Sequence, residues 1–177
     1  MSGNENSVDP RDLFNDFAQI GIIVRDLDQT VQVLSTVFGL GPFRFVTWPP
    51  PDRSDLVKIY QGKPGDFSYR MAFAELGPIE LELIQPLGGE SVWADFLAEH
   101  GQGIHHIRFN VNDMQSVVDY LAQHGVRVSQ MGSGLRPGTS WAVFDTESLA
   151  GFAIEVMRKV PGTDGRVPPI VDGKVQV

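Results

Sequence analysis

The chain has no cysteine, which excludes disulfides, thiolate nucleophiles and cysteine-ligated zinc together. It has no apolar run near the roughly 18 residues that a membrane span requires. Its first residues, Met-Ser-Gly-Asn-Glu-Asn-Ser, are polar and acidic where a secretory leader is basic and then apolar. Positive charge is also scarce. Lys and Arg number 14 against 22 Asp and Glu, a net charge of −8, so nucleic acid and anionic membranes are both repelled. An anionic small molecule is still admitted, because a bound cation can reverse the local field. These absences predict a soluble, cytoplasmic protein whose partner is a small molecule. What is present, 177 residues with 42% apolar and 20% charged, suffices for one well-buried domain or two small, closely packed modules.

Residues 1–15 lack periodicity and read as a flexible arm, docked through Leu13 and Phe14. The stretch after Lys159, Val-Pro-Gly-Thr-Asp-Gly-Arg-Val-Pro-Pro, sustains neither helix nor central strand, so 160–177 reads as an irregular tail. Between them lies an internal repeat. Laying the segment that begins at Phe17 on the segment that begins at Ile104 brings Gln19 onto His106, Ile20 onto Ile107, Val24 onto Val111, Asp26 onto Asp113, Val31 onto Val118 and Leu34 onto Leu121, without a gap. Each copy opens as a strand with apolar residues at alternate positions. An aspartate then introduces a helix with one apolar stripe, ended by Gly39 or Gly125. Strands follow at Tyr69–Leu76 and Ile79–Ile84, and at Ser140–Asp145 and Phe152–Met157. An earlier strand near Phe43–Trp48 pairs with one near Val126–Met131. Pro49–Asp66 has no counterpart and reads as an inserted loop. The expected fold is α+β: two βαβββ modules in tandem, 16–88 and 103–159, forming a cupped mixed sheet around a central site. A helix capped by Ser91, Val92–His100 within the 89–102 connection, presents Trp93, Phe96 and Leu97 to the sheet.

Four polar residues occupy matched places in this repeat. Gln19 and His106 stand early in the first strand of each module, and Glu82 and Glu155 stand in the last. Gln19 to Glu82 spans 63 positions and His106 to Glu155 spans 49. The difference, 63 − 49 = 14, has the size of the insertion. Each glutamate lies between large apolar residues, so it faces either water or something that compensates its charge. Taken singly, each fits an outward position on a wet sheet face. Taken together, they fit one divalent ion (Mg²⁺, Mn²⁺, Co²⁺, Ni²⁺ or Zn²⁺), with two octahedral places left for substrate or solvent oxygens.

The segments Ile20-Gly-Ile-Ile-Val-Arg-Asp-Leu, Phe38-Gly-Leu, Ile79-Glu-Leu-Glu-Leu-Ile-Gln-Pro-Leu, Phe96-Leu, Gly103-Ile-His-His-Ile-Arg-Phe and Gly151-Phe-Ala-Ile-Glu resemble those of the vicinal oxygen chelate superfamily, which includes glyoxalases, bleomycin-resistance proteins and extradiol dioxygenases. The resemblance is strongest to its methylmalonyl-CoA epimerase branch. It implies metal ligands at Gln19, Glu82, His106 and Glu155. The first is usually histidine in that family, but glutamine occurs there in some lactoylglutathione lyases. Gln19 argues against Fe²⁺ dioxygenase chemistry, which uses two histidines and a carboxylate. The position where a second epimerase base is sought holds Arg70, flanked by Tyr69 and Met71. The implied activity is that of a metal-dependent isomerase, epimerase or lyase. A carboxylate, Glu155 first and Glu82 second, takes a proton next to a carbonyl polarised by the ion. A metal-independent binding protein and a metal-dependent dioxygenase are the alternatives.

The family's habits imply a homodimer, and free strand edges on both modules agree with that. Arg70, Tyr69 and Trp141 are candidate substrate contacts. Trp48 and Phe67 can wall an apolar pocket with Tyr69 and Trp141, or pack as core. His105 is expected on the strand face opposite His106, and His100 and His124 at helix ends. Gly132–Gly138 reads as a loop near the cup's mouth, without the context of a phosphate loop.

Overall fold

The computed structural model describes residues 9–162, 170–171 and 174–175. Residues 1–8 of the expected arm and most of the expected tail lie outside the described residues. One turn of helix, α1 (Pro10–Leu13), precedes the repeat, and Leu13 and Phe14 pack onto the second module as anticipated, Phe14 meeting Phe109 edge-on at 5.6 Å. In the first module, Asp26 follows β1 (Phe17–Ile23) and caps α2 (Leu27–Phe38) by accepting the Gln29 N–H at 2.9 Å. Gly39 ends α2 with φ +68°, a conformation that suits a residue without Cβ. Next come β2 (Arg44–Trp48), the short β3 (Lys58–Tyr60) and β4 (Lys63–Pro64), and the hairpin of β5 (Ser68–Leu76) and β6 (Ile79–Gly88). Ser91 caps α3 (Val92–His100) through the Ala94 N–H at 3.1 Å. The second module holds β7 (Gly103–Val111), α4 (Met114–Gln123) capped by Asp113, β8 (Val128–Ser133), β9 (Ser140–Phe144), the one-turn α5 (Glu147–Ala150) and β10 (Ala153–Arg158).

All ten strands of the body join one mixed sheet, in the order β2-β5-β6-β1-β7-β10-β9-β8-β3-β4. Within each module the first strand lies parallel to the last, β1 beside β6 and β7 beside β10, and the modules meet where β1 runs antiparallel to β7. A pseudo-twofold axis therefore passes between β1 and β7. Alternation then sorts side chains by face. One face packs Leu27, Val31 and Leu34 of α2, and Val117 and Leu121 of α4, against Leu81, Leu83, Phe144 and Val156. The other, inner face carries Ile23, Trp48, Tyr69, Phe73, Ile84 and Trp141 and is covered by Trp93, Phe96 and Leu97 of α3. Gln130 of β8 ties α3 down by accepting the Val92 N–H at 2.9 Å.

Three expectations need correction. The strands near 43–48 and 126–131 are counterparts across the axis and not hydrogen-bonded partners: β2 pairs with β5, and β8 with β9 and β3. The 49–66 insertion is more than a loop, because its Lys58–Tyr60 pairs with Gly132–Gln130 and extends the second module's sheet. That covers the β8 edge expected to be free. The sheet ends instead on β4, where Pro64 has no N–H to offer a further strand. In the tail, β11 (Ile170–Val171) and β12 (Lys174–Val175) form a small antiparallel ribbon where irregular chain was expected.

Candidate functional site

Among the aromatic and aliphatic residues of the inner face, Gln19, Glu80, Glu82, His106, Arg108 and Glu155 are all buried. The strand register explains their gathering. Gly21 stands opposite His106 on β7 and Glu82 on β6, while Gln19 stands opposite Arg108 and Glu80, and Glu155 opposite Arg108. The His106 ring lies over Gly21: a Cβ there would come within 2.0 Å of His106 Cε1. From this seat His106 Nε2 is 3.4 Å from Glu82 Oε2 and 3.4 Å from Glu155 Oε2. Three of the four residues expected from the repeat are thus brought together.

Gln19, the fourth, is oriented by a chain of partners. Its amide nitrogen donates to Glu80 Oε1 at 2.9 Å, and Arg44 Nη2 holds the other Glu80 oxygen at 2.6 Å. Its Oε1 and His106 Nε2 have no hydrogen-bond partner among the described residues. His105 departs from expectation. A β-bulge separates the register of Gly21 with His106 from that of Ile22 with Ile104, so His105 is not simply turned away. Its Nδ1 lies 3.1 Å from His106 Nδ1, its Nε2 lies 3.9 Å from Glu147 Oε1, and Phe96 packs edge-on against its ring.

Burial dominates the electrostatics. Desolvation raises Glu82 to about 7, against the pull of Arg108. Desolvation and then repulsion by Glu82 raise Glu155 to about 8. Desolvation and then the Arg108 charge lower His106 to about 3, and desolvation, His106 and His100 lower His105 similarly. Both imidazoles are therefore neutral, and neutral imidazole is the ligating form. With the 3.1 Å contact between the two Nδ1 atoms, an Nδ1 proton on His106 leaves its Nε2 lone pair toward the carboxylates.

These groups fit a divalent ion chemically. A free amide oxygen, a free imidazole nitrogen and two carboxylates make a mixed N/O donor set. Among the described residues no three His, Asp or Glu side chains already form a closed ion cage. The 3.4 Å separations nevertheless lie close to the spacing of about 3 Å between neighbouring ligands of an octahedral ion at about 2.1 Å. The fourth donor, an amide, lies outside a count of acids and histidines.

Of the candidate substrate contacts, Tyr69 and Trp141 share the inner face but are packed into an aromatic stack. Tyr69 meets Trp48 at 5.0 Å and Trp93 at 4.4 Å, and Trp93 meets Trp141 at 5.3 Å. Arg70 points to the outer face, where its Nη1 and Nη2 each donate to Asp28 of α2 at 2.9 Å. It is not in the cup. His124 Nδ1 contacts the Tyr120 carbonyl at 2.9 Å, and His100 ends α3 against Phe96. The Gly132–Gly138 loop buries Leu135 in the inner core. Sequence reasoning missed Glu80, Arg44 and Arg108. The available signal was the two-residue period, since Glu80 precedes Glu82 by two and Arg108 follows His106 by two.

A family model described as "Glyoxalase/Bleomycin resistance protein/Dioxygenase superfamily" matches residues 18–144. The human mitochondrial methylmalonyl-CoA epimerase is 28% identical over 107 residues, 54% of this chain and 61% of that protein. An ethylmalonyl-CoA/methylmalonyl-CoA epimerase of Cereibacter sphaeroides is 39% identical over 70 residues, 39% of this chain and 51% of that protein. The chain thus spans a little over half the length of these curated relatives. A methylmalonyl-CoA epimerase solved with methylmalonyl-CoA and NH4+ superimposes with a TM-score of 0.58 at 24% identity, over 82% of this chain and 94% of that one. The Mycobacterium tuberculosis methylmalonyl-CoA epimerase gives 0.59 at 23% identity, over 84% and 91%. At these identities the structural likeness shows the fold.

Proposed function

We propose that this chain, which belongs to the glyoxalase/bleomycin resistance protein/dioxygenase superfamily, is a divalent-metal-dependent epimerase or isomerase acting next to a substrate carbonyl. The observation that carries this reading is the convergence of two buried carboxylates, Glu82 and Glu155, on the unpartnered His106 Nε2 at 3.4 Å each. An apolar interior holds such a constellation at a large desolvation cost, which a bound cation offsets. Gln19 Oε1, Glu82, His106 Nε2 and Glu155 would hold the ion. When bound, it supplies Lewis-acid polarisation of a carbonyl and stabilises charge that develops when the adjacent carbon loses its proton.

The protein's own part is proton transfer. Glu155 is assigned as the base that removes the proton from the carbon next to the carbonyl. Glu82, its pseudo-symmetric counterpart, is assigned to the return, and delivery to the opposite face inverts that carbon. α3 and the aromatic stack keep water from the inner face and so strengthen every charge interaction there. The curated relatives make a malonyl-type CoA thioester the first substrate to try. A cytoplasmic homodimer remains part of the proposal.

The test incubates metal-loaded protein with methylmalonyl-CoA in D2O. Enzyme-dependent deuterium entry at the carbon between the two carbonyls supports the proposal. No exchange with this or any other carbonyl substrate, by protein shown to hold metal, contradicts it.

A further inference from the structure

The repeat that matches Gln19 with His106 also matches Gly21 with Arg108. The two sides of the axis therefore differ at this place too. Gly21 is small because the His106 ring covers it, whereas its counterpart is a long cation. Arg108 lies on β7 on the same face as His106, opposite both Gln19 and Glu155. It is 2% exposed, and its Nε and Nη2 meet no acceptor among the described residues. Glu80 is the one carboxylate of the described residues within ion-pair distance, and its Oε1 is 4.0 Å from Nη2, too far for a hydrogen bond. Both Glu80 oxygens are engaged already, by Gln19 and Arg44.

A buried guanidinium with unmet N–H groups is costly, and its planar fork suits a carboxylate. We infer that Arg108 is an anion anchor that binds a substrate carboxylate beside the Glu82–His106–Glu155 cluster. This rests on the function proposed above and narrows its substrate class. The preferred carbonyl compound carries a second, anionic carboxylate within reach of both the cluster and Arg108. Because the matched position in the first module is glycine, the anchor is one-sided, and it gives a bound substrate a single orientation across an otherwise pseudo-symmetric site.

Calorimetric titration with malonate tests this, using wild type, Arg108→Gln and Arg108→Lys. Each is loaded with Co²⁺ and freed of excess metal, and each is also measured in chelator. The expected result is malonate binding by wild type, weakened on the order of tenfold or more in Arg108→Gln, with Co²⁺ content unchanged. Lysine keeps the charge without the fork, so Arg108→Lys falls between the two. If Arg108→Gln does not fold, Arg108→Lys against wild type decides the matter. Equal malonate affinity in a folded variant and wild type overturns the inference, as does absence of malonate binding by wild type in either state. Malonate binding that persists in chelator and still depends on Arg108 upholds the anchor. Failure of the wild type to take up metal counts separately, against the metal-dependent function.

Discussion

Glu155 sits between Ile154 and Val156 on a face shared with tryptophans, only 5% exposed. Solvation alone does not explain a carboxylate there. If it is the base, Glu155→Gln lowers solvent deuterium exchange by roughly 10²–10⁴-fold. Exchange followed by NMR checks this, and a rate within threefold of wild type rejects the assignment. His105 acts at one remove. Its Nδ1 lies 3.1 Å from His106 Nδ1 and steadies that ring, so if His106 holds the ion, His105→Phe should weaken Co²⁺ binding about 10–100-fold in chelator competition. Unchanged affinity rejects that role. At this scale the sequence was a good guide to which polar side chains meet, Glu82, His106 and Glu155, because matched polar residues stood out in apolar strands. It was a poor guide to Arg108 and Glu80, whose significance depends on which strand lies beside which.

The elements carry those residues through strand register. β1 and β7 cross the axis antiparallel, and the match of Gly21 with His106 lets the imidazole lie flat over β1. Gly21→Ala puts a methyl 2.0 Å from His106 Cε1. The expected result is about 1–3 kcal/mol of lost stability and metal uptake well below one ion per chain, measured by denaturation and elemental analysis. A stable variant with full metal content would show that the ring does not need this seat. The helices were legible because Asp26, Asp113 and Ser91 are local caps followed by apolar stripes, and physics within four residues decides them. Two features were not. β3 is three residues long without a periodic pattern, and it pairs with β8 about seventy positions away. The bulge at His105 breaks the alternation from which its facing had been argued, and only the partner strand reveals the slip. Arg70, a candidate substrate contact, lies away from the inner face for a simpler reason: its neighbour Tyr69 takes the inner position, so alternation turns Arg70 toward Asp28 on α2.

For the whole molecule, the buried carboxylates link stability to pH and to metal. Without an ion, Glu82 and Glu155 titrate at about 7 and about 8 in the folded protein, against an ordinary 4.5. Between 4.5 and about 8 these two carboxylates bind more protons in the folded chain than in the unfolded one and make stability fall as pH rises, while His105 and His106, held neutral by burial, oppose them below an ordinary 6.5. The thermal midpoint of chelated protein should therefore drop from pH 6.5 to pH 8. Saturating Co²⁺ should flatten or reverse that drop, because the ligated carboxylates are ionised throughout. A midpoint that climbs over the same range in chelator contradicts the burial argument.

The central claim is that Gln19, Glu82, His106 and Glu155 hold one divalent ion. Elemental analysis of purified protein, with wild type beside His106→Ala and Glu155→Ala, tests it most directly. About one ion per folded chain is expected in wild type, and loss of the ion in both variants. Wild type that stays metal-free after reconstitution with Co²⁺, Ni²⁺, Mn²⁺ and Zn²⁺, or variants that keep their metal, would contradict it.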